Sequence, residues 1–309
     1  MKVRFIKTKD DWTKVRTGKG FFVQRLIKHL TELGVECVTT TEGFCDIDFH
    51  ISRFHYKSEN CTKKVLRLGP VHSDSRGSVD YHNYKKRKAL KQSDAVIYQS
   101  EFSKKMCDKF IGKSRGRTTI IFNGAEDSYR ESKIKSEFKY NYLASTRDWI
   151  AQKRLPEIIT AFNLANVNDS CLWIAGDTSR YKKVKQRNIK YLGIISQDQL
   201  KEYYNLCHTV IHGVYIDACP NAVVEELVNG CSVICGDQGG TKELGCDVVI
   251  NDKPWNFKAF NHKKTPKMNI KAWANAIAST TTRRAPAEHL YIQNIARQYK
   301  AFFEEVLNV

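Results

Sequence analysis

Asp217-Ala-Cys-Pro-Asn-Ala-Val-Val-Glu225-Glu-Leu-Val-Asn-Gly-Cys-Ser-Val-Ile-Cys235-Gly-Asp-Gln-Gly-Gly240-Thr-Lys-Glu-Leu244 is the stretch that decides the fold of this chain. It reads as loop, helix, buried strand and glycine turn, which is the grammar of a parallel α/β unit. Pro220 suits the first helical position, where its missing N–H is one of the orphan donors. The amides of Asn221 and Ala222 then stand at the positive end of the helix dipole. Asp217 precedes the helix and Glu225 lies about a turn and a half into it. A ligand with hydroxyls at one end and a diphosphate at the other fits such a set, and a sugar nucleotide is such a ligand. The plainer alternatives are a helix-capping acid for Asp217 and an exposed helix charge for Glu225, as Glu226 beside it is read.

Working outward, the second half continues the pattern. Strands are expected at 140–144, 171–175, 189–192, 209–212 and 232–235, and helices at Leu155–Ala165, 196–207, 220–229, Ile270–Ser279 and 286–307. The first half alternates in the same way. Strands are expected at 3–6, 35–39, 47–51, 65–68, Ala95–Tyr98 and 119–122. A glycine loop at 17–20 opens a helix over 21–33, and Ser100 is a helix N-cap. Residues 127–137 are polar and without period, so they are read as a linker. Two doubly wound Rossmann-like domains follow, with a ligand cleft expected at the C-terminal edges of their strands.

The 309 residues suffice for two domains of roughly 150 residues each. No apolar run reaches the ~18 residues of a membrane span, and the early charges of the N-terminus do not suit a secretory signal. Ten cysteines without a C-x-x-C pair point to reduced, mostly buried thiols and not to a zinc site. The net charge of +18 implies anionic partners, or solubility alone. Basic residues are densest from Lys85 to Arg117, where a nucleic-acid or acidic membrane surface is one reading and a solvated helical face the other.

Four further places carry candidate chemistry. Gly18-Lys19-Gly20 lacks the third glycine of a dinucleotide fingerprint and has no Walker pattern, which leaves Gly20 and its neighbours as a phosphate or sugar contact. Arg147 and Lys153 lie in a loop after a strand and offer a bidentate grip and a point charge for phosphate. His72 follows the strand at 65–68 and is a candidate contact to sugar or phosphate. Gly239 and Gly240 let a backbone approach a ligand closely.

The order of glycine loop, Asn123-Gly124 turn, Arg147 and Lys153, Asp217-x7-Glu225 and Gly239-Gly240-x-x-Glu243 resembles the retaining GT-B glycosyltransferases of family 4, the glycosyl transferases group 1. The resemblance implies a first domain on the acceptor side over 1–135, a nucleotide-sugar domain over 136–284 and a last helix over 285–309 crossing back onto the first domain. It assigns Arg147 and Lys153 to the donor diphosphate, Asp217 to the transferred sugar and Glu225 to the ribose. Gly20 falls near the diphosphate, and His72 matches the family's first-domain histidine with a shift in register. The sequence departs from the family in having Asp217 for the usual Glu and Cys219-Pro220 for Phe-Gly. The implied reaction is metal-independent and uses no cofactor. The donor is a UDP- or GDP-sugar and the acceptor a glycan or glycolipid, in the cytoplasm, with peripheral contact to an anionic membrane and no specific nucleic acid. A sugar-nucleotide epimerase and a non-enzymatic basic binding protein are the competing readings.

Overall fold

In the computed structural model, residues 1–5, 18–54, 60–69, 71, 79–258 and 265–308 are described. The chain divides into two compact units, Met1–Glu126 with Phe257–Ala259 and His289–Val309, and Asp127–Asn256 with Phe260–Glu288.

The first unit carries strands β1 (Lys2–Phe5), β2 (Glu36–Val38), β3 (Cys45–Ile51), β4 (Cys61–Leu68), β5 (Ala95–Tyr98) and β6 (Arg117–Ile120). They form one parallel sheet in the order β2-β1-β3-β4-β5-β6. Helices α1 (Gly18–Glu32), α2 (Val79–Gln92) and α3 (Glu101–Phe110) connect them. Ser100 caps α3 as expected, its side chain accepting from the Ser103 amide. Helix α1 is wound from Gly18, so Lys19 and Gly20 belong to its first turn and not to a preceding loop.

The second unit carries β7 (Tyr140–Asp148), β8 (Ser170–Asp177), β9 (Ile189–Gly193), β10 (Thr209–His212), β11 (Ser232–Gly236) and β12 (Val248–Ile250). These also run parallel, in the order β12-β11-β10-β7-β8-β9. Helices α4 (Leu155–Ala165), α5 (Gln197–Leu206), α6 (Asn221–Val228) and α7 (Ile270–Ser279) flank the sheet. Alternation along β8 shows the two-sided burial. Leu172 and Ile174 join the core with Phe162 of α4 and Trp273 and Ile277 of α7, while Trp173 between them meets Tyr203 of α5 at 5.3 Å. No helix among the described residues is long and apolar enough to cross a membrane.

The last helix, α8 (Ile292–Leu307), packs on the first unit. Ile295, Tyr299, Phe302, Phe303 and Val306 recur at helical spacing and are buried with Phe22, Leu26, Leu30 and Phe49. Each such side chain contributes about 1.5–3 kcal/mol of burial. Arg67 ties three elements together. Its Nε donates to Tyr299 Oη at 2.6 Å, its guanidinium lies 4.3 Å from the centre of the Phe22 ring, and it also donates to Asn123.

The expected helix over 286–307 is interrupted. A short 3-10 turn, Glu288–Leu290, comes first, and α8 starts only after Tyr291, which bridges to Ala125. The amide of Ala125 bonds the Leu290 carbonyl and that of Ile292 bonds the Ala125 carbonyl, which takes this backbone out of a helix. The polar segment read as a linker is instead fastened to the second unit. Ser128 Oγ donates to Asn229 Oδ1 at 2.7 Å, Arg130 N to Asn205 Oδ1 at 3.1 Å, and Ser132 Oγ to the Glu202 carbonyl at 3.0 Å.

The basic run opens on α2, a helix that the sequence reading did not identify. Lys85 and Lys88 are exposed, Lys86 is buried, and Arg87 donates to the Phe110 carbonyl. Burial, reinforced by the charges of Lys19 and Arg53, pulls the Lys86 ammonium down to about 8. Lys86 therefore belongs to the interior, while Lys91, Lys105, Lys109, Lys113, Arg115 and Arg117 remain exposed.

Candidate functional site

In the second sheet the chain runs outward from β7 through β8 to β9, then returns to place β10 on the other side of β7. The loops leaving β7 and β10 at their C-terminal ends diverge there. Ligands of open α/β sheets bind at such a switch point. Arg147 lies within the last residues of β7 and not in the loop expected for it, because the strand runs on to Asp148; Lys153 follows β7, and Asp217 follows β10.

Two bonds hold the loops together. Gln152 Nε2 donates to the Ile216 carbonyl at 2.7 Å, and the Tyr215 amide donates to the Gln152 carbonyl at 3.2 Å. Lys153 ends the short 3-10 turn Ala151–Lys153, and its Nζ stands 3.8 Å from Asp217 Oδ2. Both side chains are about three-quarters buried, at 21% and 25% exposure, so the pair is shielded and still reachable.

The glycine turn closes on the same acid. Gly240 donates its amide to the Asp217 carbonyl at 2.7 Å. Gly239 has φ +111°, and a Cβ there would fall 2.6 Å from that carbonyl oxygen. Only glycine allows so close an approach in that conformation.

Arg154, absent from the sequence-derived candidates, anchors the turn. It is fully buried with φ 59° and ψ 37°, a left-handed conformation uncommon for a residue with a side chain. Its guanidinium grips Asp252 with two donors and gives a further bond of 2.8 Å to the Pro266 carbonyl. Nothing in its local sequence marked it, because Asp252 lies far along the chain.

Helix α6 starts at Asn221, with Pro220 as the residue before it (φ −70°, ψ 122°) and not at the first helical position. The first intrahelical bond runs from the Val224 amide to the Pro220 carbonyl, so the amides of the first turn have no acceptor within the helix. Glu225 is partly exposed, and Oε2 accepts from Tyr204 Oη at 3.3 Å. Glu226 is not the exposed charge expected of it. It is 1% exposed, and Oε1 accepts from Ser145 Oγ at 2.6 Å. Burial raises its carboxyl to about 8.

Asp217, Lys153, Gly239 and Gly240 are thus brought together, and α6 brings Asn221, Ala222 and Glu225 on the segment that follows. Arg147 projects from the end of β7, 79% exposed, with Asp148 at 3.6 Å as its ion-pair partner. It makes no ion pair with the Lys153–Asp217 group among the described residues. Gly20 is buried in the first turn of α1, in the first unit. His72 lies outside the described residues. His212 was also missed. It ends β10, buried, and burial together with the Lys153 charge holds its imidazole down at about 3.

Two units of parallel sheet and flanking helices, with the last helix returned to the first unit, constitute the GT-B architecture. Solved structures agree over the full chain. Sucrose-phosphate synthase from Thermosynechococcus elongatus is similar with a TM-score of 0.67 at 12% identity, covering 99% of each chain. HepE of Anabaena, solved with UDP and glucose, has a TM-score of 0.67 at 13% identity, covering 98% of this chain and 99% of that one. A glycosyltransferase from Rickettsia africae has 0.65 at 14%, covering 99% and 98%. At these identities the likeness is one of fold. A comparison with curated proteins gave no match. The family model of glycosyl transferases group 1 matches residues 128–294, more than half of the chain. The chain belongs to that family.

Proposed function

We propose that this protein is a retaining glycosyltransferase that moves a sugar from a nucleoside diphosphate sugar, of the UDP or GDP type, to a glycan or lipid-linked acceptor. The observation that carries the reading is the shielded Lys153–Asp217 pair beside the first turn of α6. One sheet edge there holds a cation, helix amides and a carboxylate, with Glu225 further along the same helix. HepE, solved with UDP-glucose, has the same fold and lends support to the donor class.

The proposed chemistry follows from charge. As the glycosidic bond breaks, negative charge grows on the diphosphate leaving group. Lys153, Arg147 and the first-turn amides of α6 oppose it, and preorganised donors of this kind supply the largest share of such catalysis. Asp217 accepts from sugar hydroxyls and Glu225 from the ribose. Gly239 and Gly240 admit the donor close to the backbone. No metal is assigned a role, since Lys153, Arg147 and the amides carry the leaving-group charge.

The test is release of nucleoside diphosphate from UDP-, GDP- and ADP-sugars, with and without glycan or glycolipid acceptors. One donor is expected to turn over with wild type, with undiminished rate in EDTA, and the product anomer followed by NMR is expected to match the donor. Equal inertness of wild type and Lys153→Ala with every donor, both being folded, overturns the reading.

A further inference from the structure

We propose that Glu226, held as a neutral acid, is a positioning residue that locks helix α6 to the end of β7, and that donor binding requires its proton. The inference rests on the donor reading given above. Glu226 adjoins Glu225 on α6, and Ser145 lies two positions before Arg147 on β7. The 2.6 Å bond between Ser145 Oγ and Glu226 Oε1 is a direct side-chain tie between the two segments that carry the candidate donor contacts. Glu226 Oε2 is buried and has no hydrogen-bond partner among the described residues.

Among the described residues this carboxyl makes no ion pair. From its own helix comes Glu225, an acid. From α5 and its end come Tyr204 and Cys207, and from the far side come Cys231 and Cys246. Burial drives the phenol of Tyr204 and the thiols of Cys207 and Cys231 upward, and the hydrogen bond with Cys235, reinforced by burial, does the same for Cys246, so each stays neutral. β10 contributes His212, two positions past Val210, as Ser145 is two past Leu143, with which Val210 pairs. Its imidazole is neutral at physiological pH, and its Nε2 is also buried without a partner among the described residues. Arg283, the guanidinium in this region, donates to the carbonyls of Tyr204, Cys207 and Asn229. An ionised carboxylate there would be a buried charge beside a second acid and without an ion-pair partner, the Arg283 guanidinium being held by backbone carbonyls, which is unfavourable. A carboxylic acid keeps the Ser145 bond and places a hydrogen on the second oxygen. An ionised carboxylate would still accept from Ser145, but its buried charge would draw water into the enclosure, and relief of that cost is what would part α6 from β7; a donor that binds both segments then holds the proton on.

Two measurements decide the matter. In protein labelled with 13C at glutamate carboxyls, the Glu226 signal, assigned by its absence from Glu226→Gln, is expected to titrate near 8. Calorimetric binding of UDP and of GDP is then followed from about pH 6 to about pH 10. Wild-type affinity is expected to be level up to about 8 and to fall above it, approaching tenfold per pH unit for one linked proton. Glu226→Gln, an isosteric neutral donor, is expected to retain wild-type affinity with no such fall. Glu226→Ala is expected to bind more weakly at every pH. A Glu226 signal titrating with the ordinary carboxylates overturns the proposal, as does an alkaline fall that persists in Glu226→Gln or a Gln variant as weak as the Ala variant. If neither nucleotide binds any of these proteins, the donor reading fails together with the proposed linkage, and the carboxyl titration alone decides whether Glu226 is held neutral.

Discussion

Lys153 Nζ stands 3.8 Å from Asp217 Oδ2, and the two residues follow different strands at the point where the order of the second sheet reverses. Under the proposed function, removing the ammonium would leave the donor diphosphate without its shielded cation. A charge-assisted bond is worth about 1.5–3 kcal/mol, so Lys153→Ala is expected to lower kcat/KM for the donor by roughly ten- to a hundredfold. Donor kinetics check this, with circular dichroism as the control for folding.

Gly239→Ala tests the close approach of the glycine turn. The added methyl would fall 2.6 Å from the Asp217 carbonyl oxygen, at a φ of +111° that alanine rarely adopts. The strain is expected to cost about 1–3 kcal/mol and to displace Asp217, so donor affinity falls together with stability. Urea unfolding and nucleotide binding measure the two effects.

The buried Arg154–Asp252 pair is expected to support the turn that carries Lys153 by fastening the segment around Asp252 to it. Arg154→Met leaves an unpaired buried carboxylate and is expected to destabilise by about 3–5 kcal/mol. Adding Asp252→Asn should recover part of that loss, since it removes the stranded charge. A double-mutant cycle in urea reads the coupling.

Tyr299→Phe removes the oxygen that accepts from Arg67 Nε at 2.6 Å and leaves the rest of the ring packing in place. A loss of about 1–3 kcal/mol is expected, the penalty of a buried donor left unsatisfied. Hydrogen exchange should report loosening of α8 before the rest of the first unit.

His212 gives the molecule an acid sensitivity whose sign is fixed. Its folded value is about 3 against an ordinary 6.5. Between these values the unfolded chain takes up a proton that the folded one refuses, so stability is complete above about 6.5 and is lost progressively as pH falls toward 3. His212→Leu is expected to flatten this part of the curve, read as the change in urea midpoint from about pH 7 to about pH 5.

Much of this was legible before any coordinates. The apolar periods of Ala95–Tyr98, Leu155–Ala165 and Ile270–Ser279 agree with the observed elements residue for residue, because their burial patterns are strong and their ends are marked. Helix α2 escaped notice because Tyr84, Lys85 and Lys88 obscure its apolar face. Strand β12 escaped it because three residues carry no period. Glu226 was misread because two adjacent acids on a helix differ only in azimuth. That angle, which sends Glu225 toward Tyr204 and Glu226 toward Ser145, is set by packing on the sheet.

What the sequence determined by itself was the alternation of strand and helix, the parallel α/β class and the Asp217-x7-Glu225 signature. These depend on side-chain period and on motifs within one segment, which the order of residues records directly. Tertiary structure alone decided that Lys153 pairs with Asp217, that Arg154 grips Asp252, that Arg67 meets Tyr299, and that Glu226 is enclosed with no ion-pair partner among the described residues. Each of these joins residues distant in the chain, and the free energy of a buried charge depends on the groups that surround it in space.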